Sequence, residues 1–419
     1  MNLYPHQTEA LDLIKDKNHC AVYYDMGLGK TYIGSEKLWD LNASVNLIIC
    51  QKSKLQDWIN HFTEYYMMYV YDLTNKKQLD AFLSDDNMPK VGIINYDLVW
   101  RRKELLKLTD FTLMLDESSL ITNRTANRSK FILKFNPTNV ILLSGTPTAG
   151  KYEKLWSQLQ LLGWNIDEET YFKSYVDYKW VERADGYYDK EIIGYKNVEH
   201  LKKRLAKFGA IFKKTNEVID LPEQVEQMIY IDPSKEYRFF KKHHYLEIED
   251  KELIGDSVLT KILYERQLCS QYSQDKLKAF QDLVESTEDR LIVFYNFTEE
   301  LDKMWQWIDI IHRPVSVING KIKQLKHYEE YDNSVTFVQY QAGAYGLNLQ
   351  LANKIIYYSL PLGIGSCDLW EQSKKRIHRI GQDKTCFYYY LLVKDSIETW
   401  NLELLRTGKE LTDELFKSE

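Results

Sequence analysis

Cysteine is scarce in this chain: Cys20, Cys50, Cys269, Cys367 and Cys386 are scattered through 419 residues. No CxxC pair occurs and no His stands at metal-ligand spacing from them, which argues against a disulfide framework and a zinc site. The adjacent His243 and His244 diverge on either a strand or a helix and make no metal pair. No apolar run approaches the roughly 20 residues that cross a bilayer, so no membrane span is expected. The opening "MNLYPHQTEALDLIKDKN" lacks a secretory apolar stretch and Arg-rich transit character, and the protein is expected to stay where it is made. There is no excess of positive charge either. A net charge of -6 argues against a non-specific nucleic-acid coat, yet it leaves room for a local basic groove. Solenoid repeats and low-complexity tracts are likewise missing.

What the chain does have is a series of short apolar runs. "CAVYY" (20–24), "NLIIC" (46–50), "VGIINY" (91–96), "TLMLD" (112–116) and "NVILLSG" (139–145) read as buried strands alternating with helical segments. That alternation predicts βαβ units and a mainly parallel sheet, hence an α/β fold. In "KYEKLWSQLQLLG", Tyr152, Leu155, Trp156 and Leu159 have the spacing of an amphipathic helix. Between about 165 and 285 the strand pattern fades into Lys-, Glu- and Tyr-rich stretches that read as helical insertions, with a domain junction near Pro222. Strands resume at 291–296, 314–320, 335–341, 354–360 and 387–393. The expectation is two domains: 1–220 with a helical insertion near 160–210, and 221–419 with a helical protrusion near 230–285.

"DMGLGKT" follows the first strand and opens a helix, the setting of a phosphate-binding loop. Met26, Gly27, Leu28 and Gly29 form the turn, Lys30 reaches the β/γ-phosphates, and Thr31 is a Mg²⁺ ligand. Tyr24 stands where the strict pattern has its first Gly. "TLMLDESS" places Asp116 at a strand end, where it anchors the same Mg²⁺, and Glu117 beside it as the group that polarises attacking water. "LLSGTPTAG" brings the Ser144 and Thr146 hydroxyls to that edge. Late in the chain, "SKKRIHRIGQ" concentrates cations. If "DLWEQSKKRIHRI" is helical, Gln372, Arg376 and Arg379 form one stripe and Trp370, Ile377 and Ile380 a neighbouring apolar one. The first domain lacks a local arginine for the transferring phosphoryl group, so Arg376 and Arg379 are candidates to supply it across a cleft between domains.

In this order the motifs resemble those of the superfamily-two helicases, and within them the Snf-type translocase ATPases. "LYPHQTEAL" is similar to the family's opening, which makes Gln7 the adenine reader. "LIICQKSKLQDWINHF" is similar to its motif Ia with Trp58 retained, "LSGTP" to motif III, and "LIVFYNFTEELDKM" to motif IV. "QAGAYGLNLQLANKIIYY" resembles motif V with Gly346 and Asn348 matched, and "QSKKRIHRIGQ" the arginine-finger segment. The resemblance implies two RecA-like lobes in tandem, and with Ser144 and Thr146 makes Gly346 and Asn348 coupling residues. Ser119 replaces a His that links nucleotide to motif III in the family, and Lys375 replaces an Asp.

The resemblance further implies an enzyme using ATP and Mg²⁺, stimulated by double-stranded DNA and stepping along it without separating the strands. A monomeric motor with little appended to it is expected, with no membrane partner. Basic clusters after first-domain strands, among them Lys52, Lys54, Asn123 and Arg124, are candidate phosphate contacts. Lys-, Asn- and Tyr-rich usage fits a bacterial or phage source, with the protein in the cytoplasm. Two alternatives stand beside this reading: a strand-separating helicase or RNA-directed motor, disfavoured for want of a wedge segment, and an ATP-sensing nucleic-acid-binding scaffold, disfavoured by the retained Lys30, Asp116, Glu117, Arg376 and Arg379.

Overall fold

The computed structural model describes residues 3–25, 27–148, 151–182, 187–218, 221–249, 251–340, 347–363, 365–379 and 381–416. The chain separates into two compact units, Met1–Ile219 with Glu410–Glu419, and Asp220–Lys409. Each is built on its own seven-stranded sheet.

In the first unit the strands are β1 (His19–Tyr24), β2 (Val45–Cys50), β3 (Tyr69–Asp72), β4 (Lys90–Asn95), β5 (Phe111–Asp116), β6 (Asn139–Leu143), β7 (Val176–Glu182), β8 (Tyr188–Tyr195) and β9 (Ala210–Lys213). The sheet order is β3-β4-β2-β5-β6-β1-β9, every pair parallel. Its central strands are buried on both faces, as their unbroken apolar runs require. Helices α1 (Pro5–Ile14), α2 (Lys30–Asp40) and α3 (Leu55–Tyr65) lie among the flanking elements. Since β5, β6 and β1 are neighbours, the chain leaves their carboxyl ends side by side, where ligands of open parallel sheets gather.

The second unit carries β10 (Gln224–Ile231), β11 (Tyr245–Ile248), β12 (Lys251–Ile254), β13 (Leu291–Tyr295), β14 (Val315–Ile318), β15 (Lys323–Gln324), β16 (Val335–Gln339), β17 (Lys354–Tyr357) and β18 (Cys386–Val393). Its sheet runs β10-β18-β17-β13-β16-β14-β15, parallel except where β15 turns back on β14. Two parallel-dominated sheets clad in helices are the tandem RecA-like arrangement. Among the described residues no helix is long and apolar enough to cross a membrane, no His, Cys, Asp and Glu cluster to hold a metal, and all five cysteines are free thiols.

The insertions are less helical than expected. Helices Glu168–Tyr175 and Val198–Lys207 do form, but β7 and β8 between them make an antiparallel hairpin. Most of the hairpin is exposed, so no buried face marked it in the sequence. Its anchor is Lys190, whose ammonium lies 4.9 Å from the Phe172 ring centre, 4.7 Å from Tyr178 and 5.4 Å from Trp180. The stretch "LAKFGAIFKK", read as continuous helix, breaks at Gly209 and continues as β9. Gly209 has φ +85°, and a Cβ there would meet His19 O at 2.5 Å. In the second unit "KEYRFFKKHHYLEIEDKEL" stops being helical at His243, because His244 turns left-handed at φ +58° and hands the chain to the β11–β12 hairpin. "KYEKLWSQLQLLG" begins as a 3₁₀ turn, Tyr152–Leu155, before the helix Trp156–Leu161.

One ion pair is sealed inside the second unit. Lys276 Nζ lies 2.5 Å from Glu398 Oε1, with the two side chains 0% and 6% exposed. Glu398 Oε2 also accepts the Val393 N–H at 3.0 Å. Removing one partner of such a pair costs about 3–5 kcal/mol, because the other charge is left buried. Lys276→Met is therefore expected to lower the urea midpoint of this unit, and Lys276→Met with Glu398→Leu should recover much of the loss.

Candidate nucleotide site and arginine segment

The phosphate loop runs from the end of β1 into α2. Gly27 and Gly29 take φ +85° and +71°, turns that a side chain would strain. Gly29 meets a second constraint, since a Cβ there would lie 2.1 Å from Gln7 Nε2. Gln7 itself is buried; its Oε1 accepts the Tyr4 N–H at 2.8 Å and its Nε2 donates to Gly29 O at 3.4 Å. His6 Nε2 contacts Leu28 O at 3.0 Å, so α1 is stitched to the loop at two points. Lys30 Nζ donates to Tyr24 O at 2.7 Å and Asp25 O at 3.1 Å. Thr31 is exposed in the first turn of α2. Met26 lies outside the described residues.

Asp116 ends β5, and its Oδ2 accepts the Trp58 indole N–H at 2.7 Å. Desolvation raises its carboxyl above the usual range, against the opposing Trp58 hydrogen bond and Lys30 charge. The next residue, Glu117, is left-handed at φ 61° and ψ 61°. Its Oε1 accepts the Ser144 hydroxyl at 2.7 Å and the Ser119 hydroxyl at 2.9 Å. Ser144 Oγ in turn accepts the Thr146 N–H at 3.1 Å. The Glu117 carboxylate is thus bonded directly to the Ser144–Thr146 turn, with Ser119 on the same oxygen. Tyr96 holds the backbone of both acidic residues, its hydroxyl donating to the main-chain Asp116 O at 3.0 Å and Glu117 O at 3.4 Å. The first unit therefore brings together Gln7, Gly27, Leu28, Gly29, Lys30, Asp116, Glu117, Ser144 and Thr146. Tyr96 stands in "VGIINYDLV", which is similar to the family's strand and Tyr motif, but the sequence alone assigned it no role because an aromatic after a strand looks like ordinary core.

The basic segment of the second unit departs from expectation. Its helix covers only Ser366–Lys374, so Gln372, Arg376 and Arg379 do not share a helical stripe. The helix cannot simply continue, because Arg376 O accepts the Leu349 N–H at 3.2 Å. Arg376 is 6% exposed and donates from Nη1 to Leu347 O at 3.0 Å, while Arg379, half-buried, donates to Asn348 Oδ1. Gln372 is buried, and neither of its amide atoms has a hydrogen-bond partner. Lys374 pairs with Glu226 and lies 3.9 Å from the Trp370 ring centre. His378 Nε2 contacts Pro222 O at 2.9 Å. Trp370 and Ile377 are buried as the apolar stripe required, whereas Ile380 and Gly346 lie outside the described residues. A residue missed from sequence is Gln382, whose Nε2 donates to Gln350 O, Ala352 O and Ile377 O at 3.1, 2.8 and 3.2 Å and ties this segment to the one after β16.

The candidate nucleic-acid contacts are mixed. Lys54 pairs with Asp57 at 2.8 Å, Arg124 pairs with Glu168, Asn123 accepts its own turn's Thr125 hydroxyl at 2.8 Å, and Lys52 is exposed.

Such a fold, with its phosphate loop and paired carboxylates on one sheet edge, defines a helicase-type ATPase of superfamily two. The chain belongs to the SNF2-related family: residues 7–274 match the SNF2-related domain, and residues 275–381 match the helicase conserved C-terminal domain. It is 25% identical over 426 residues to the mouse SWI/SNF-related matrix-associated actin-dependent regulator of chromatin subfamily A member 1, covering 89% of this chain and 39% of that protein. It is 22% identical over 444 residues to the putative ATP-dependent helicase/translocase YwqA of Bacillus subtilis, covering 94% and 46%. The chain thus spans about two fifths of the length of such relatives. Among solved structures, the Sulfolobus solfataricus SWI2/SNF2 ATPase core in complex with dsDNA aligns with TM-score 0.46 and 18% identity, over 98% of this chain and 92% of that one.

Gly29→Ala meets both a positive φ and the Gln7 amide. It is expected to weaken ATP binding at least about tenfold in equilibrium titration, a loss of about 1.4 kcal/mol or more.

Proposed function

We propose that this chain is a double-stranded DNA translocase driven by ATP hydrolysis. The observation that carries the reading is the contact of Glu117 with Ser144 beside Lys30 and Asp116. It unites the group that orients water with the turn that responds to it. In this reading Lys30 leaves the Tyr24 and Asp25 carbonyls for the β/γ-phosphates, and Gln7 turns from the Tyr4 amide to the adenine edge. Glu117 orients the attacking water, and Arg379 stabilises charge on the departing phosphoryl group. A hard divalent cation suits the donor set. Trp58 holds Asp116 Oδ2 and leaves Oδ1, and Thr31 adds a hydroxyl. Mg²⁺ held there would neutralise phosphate charge. Arg376 is read as holding the Leu347 segment as well as serving the phosphate. Duplex DNA as the track, stepping by a single copy, and action in the cytoplasm belong to the same proposal. The family membership accords with that track.

A second reading, strand separation, gains one observation. The β7–β8 hairpin bears exposed Trp180, Tyr187 and Tyr188, a segment of the sort whose absence counted against unwinding. Triplex displacement without duplex unwinding is expected; unwinding without triplex displacement would select the second reading.

Glu117→Gln should abolish turnover while ATP still binds. Arg379→Ala should lower kcat by about a thousandfold, with nucleotide affinity changed far less. Arg376→Ala should lower turnover and also the melting temperature, since its buried bond to Leu347 is lost. Steady-state ATPase assays with duplex DNA, single-stranded DNA, RNA and no nucleic acid check the three turnovers and the track, and ATP titrations and thermal melts check the affinities and the melting temperature.

A further inference from the structure

A residue with a side chain costs free energy in the left-handed region and stays there only when its surroundings over-determine it. Glu117 is such a residue. The neighbour that fixes the following step is Gln158, wholly buried in the helix Trp156–Leu161. Its Oε1 accepts the Ser118 hydroxyl at 2.7 Å and the Tyr23 hydroxyl at 2.9 Å, and its Nε2 donates to Pro147 O at 2.6 Å. Three chain segments meet on one carboxamide: the strand leading to the phosphate loop, the carboxylate turn, and the turn after β6. Its neighbours Leu155, Leu159 and Leu161 are buried and apolar, and a hydrocarbon side chain of the same size would fill the place but leave the Ser118 and Tyr23 hydroxyls and the Pro147 carbonyl without this partner. The carboxamide therefore sets position.

We propose that Gln158 is a positioning residue for Glu117. By bridging the Ser118 hydroxyl and the Pro147 carbonyl it fixes the left-handed turn, so that the Glu117 carboxylate and the Ser144 hydroxyl meet. Gln158 touches no substrate. The inference rests on Glu117 orienting the attacking water, as proposed above.

The test is duplex-stimulated turnover of the full chain with Gln158→Leu, Ser118→Ala, their double variant, Tyr23→Phe and Glu117→Gln. Misplacing a reacting group by about 1 Å costs up to about a hundredfold in rate. Gln158→Leu and Ser118→Ala should each lower kcat about tenfold or more with KM for ATP within about twofold, and the double variant should be no worse than the poorer single one. Tyr23→Phe, which removes only the third contact, should stay within about twofold of wild type. If Gln158→Leu fails to fold, Ser118→Ala decides alone. Wild-type kcat in a folded Gln158→Leu or in Ser118→Ala overturns the proposal, as does a Tyr23→Phe loss equal to theirs. Persistent turnover in Glu117→Gln instead overturns the reading of Glu117 itself, so the two failures are told apart.

Discussion

A carboxyl group drawn partly out of water at the end of β5 is the interaction on which the first lobe's site depends. Asp116 is desolvated enough to resist ionisation, and an ionised carboxylate in such a place is tolerated only with compensating partners. Trp58 supplies one from α3, Lys30 supplies charge from α2, and Tyr96 fixes the backbone. None of these is near Asp116 in sequence. The order β4-β2-β5-β6-β1 brings them to one edge, so the parallel sheet is what makes the carboxylate tolerable and the cradle specific.

Much of this arrangement was legible in the sequence, and for a definite reason. Strands buried on both faces leave unbroken apolar runs, so all five first-lobe runs recognised from sequence appear as strands, and the residues just beyond β1, β5 and β6 carry the chemistry. Strands with one wet face were not legible: β10 and the β7–β8 hairpin bury little and interrupt their apolar residues with polar and charged ones. β9 was hidden for another reason, being short and joined to a true helix, although Gly209 was a stop signal in plain view. In the site, motif residues were identifiable, while the roles of Tyr96 and Gln158 were not. Their roles come from partners 11 to 135 positions away, and a buried tyrosine or glutamine has no local pattern to betray it.

The cations of the second lobe show why charge patterns mislead. A run of Lys, Arg and His reads as a solvated face, yet Lys374 is spent on Glu226 and Trp370, and Arg376 on a backbone carbonyl. Burial lowers the Lys374 ammonium pKa, with Glu371 and Glu226 resisting that fall. Much of the segment's positive charge thus builds the lobe, and Arg379, half-buried on Asn348, retains the greater access to solvent.

The aromatic grip of Lys190 on Phe172, Tyr178 and Trp180 has a kinetic corollary. A free-standing pair of strands has marginal stability in water, so this clamp carries much of what keeps β7 and β8 zipped. Their amide protons belong to a low-energy opening unit that exchanges with deuterated solvent well before the core strands do, and a protease finds its first foothold there.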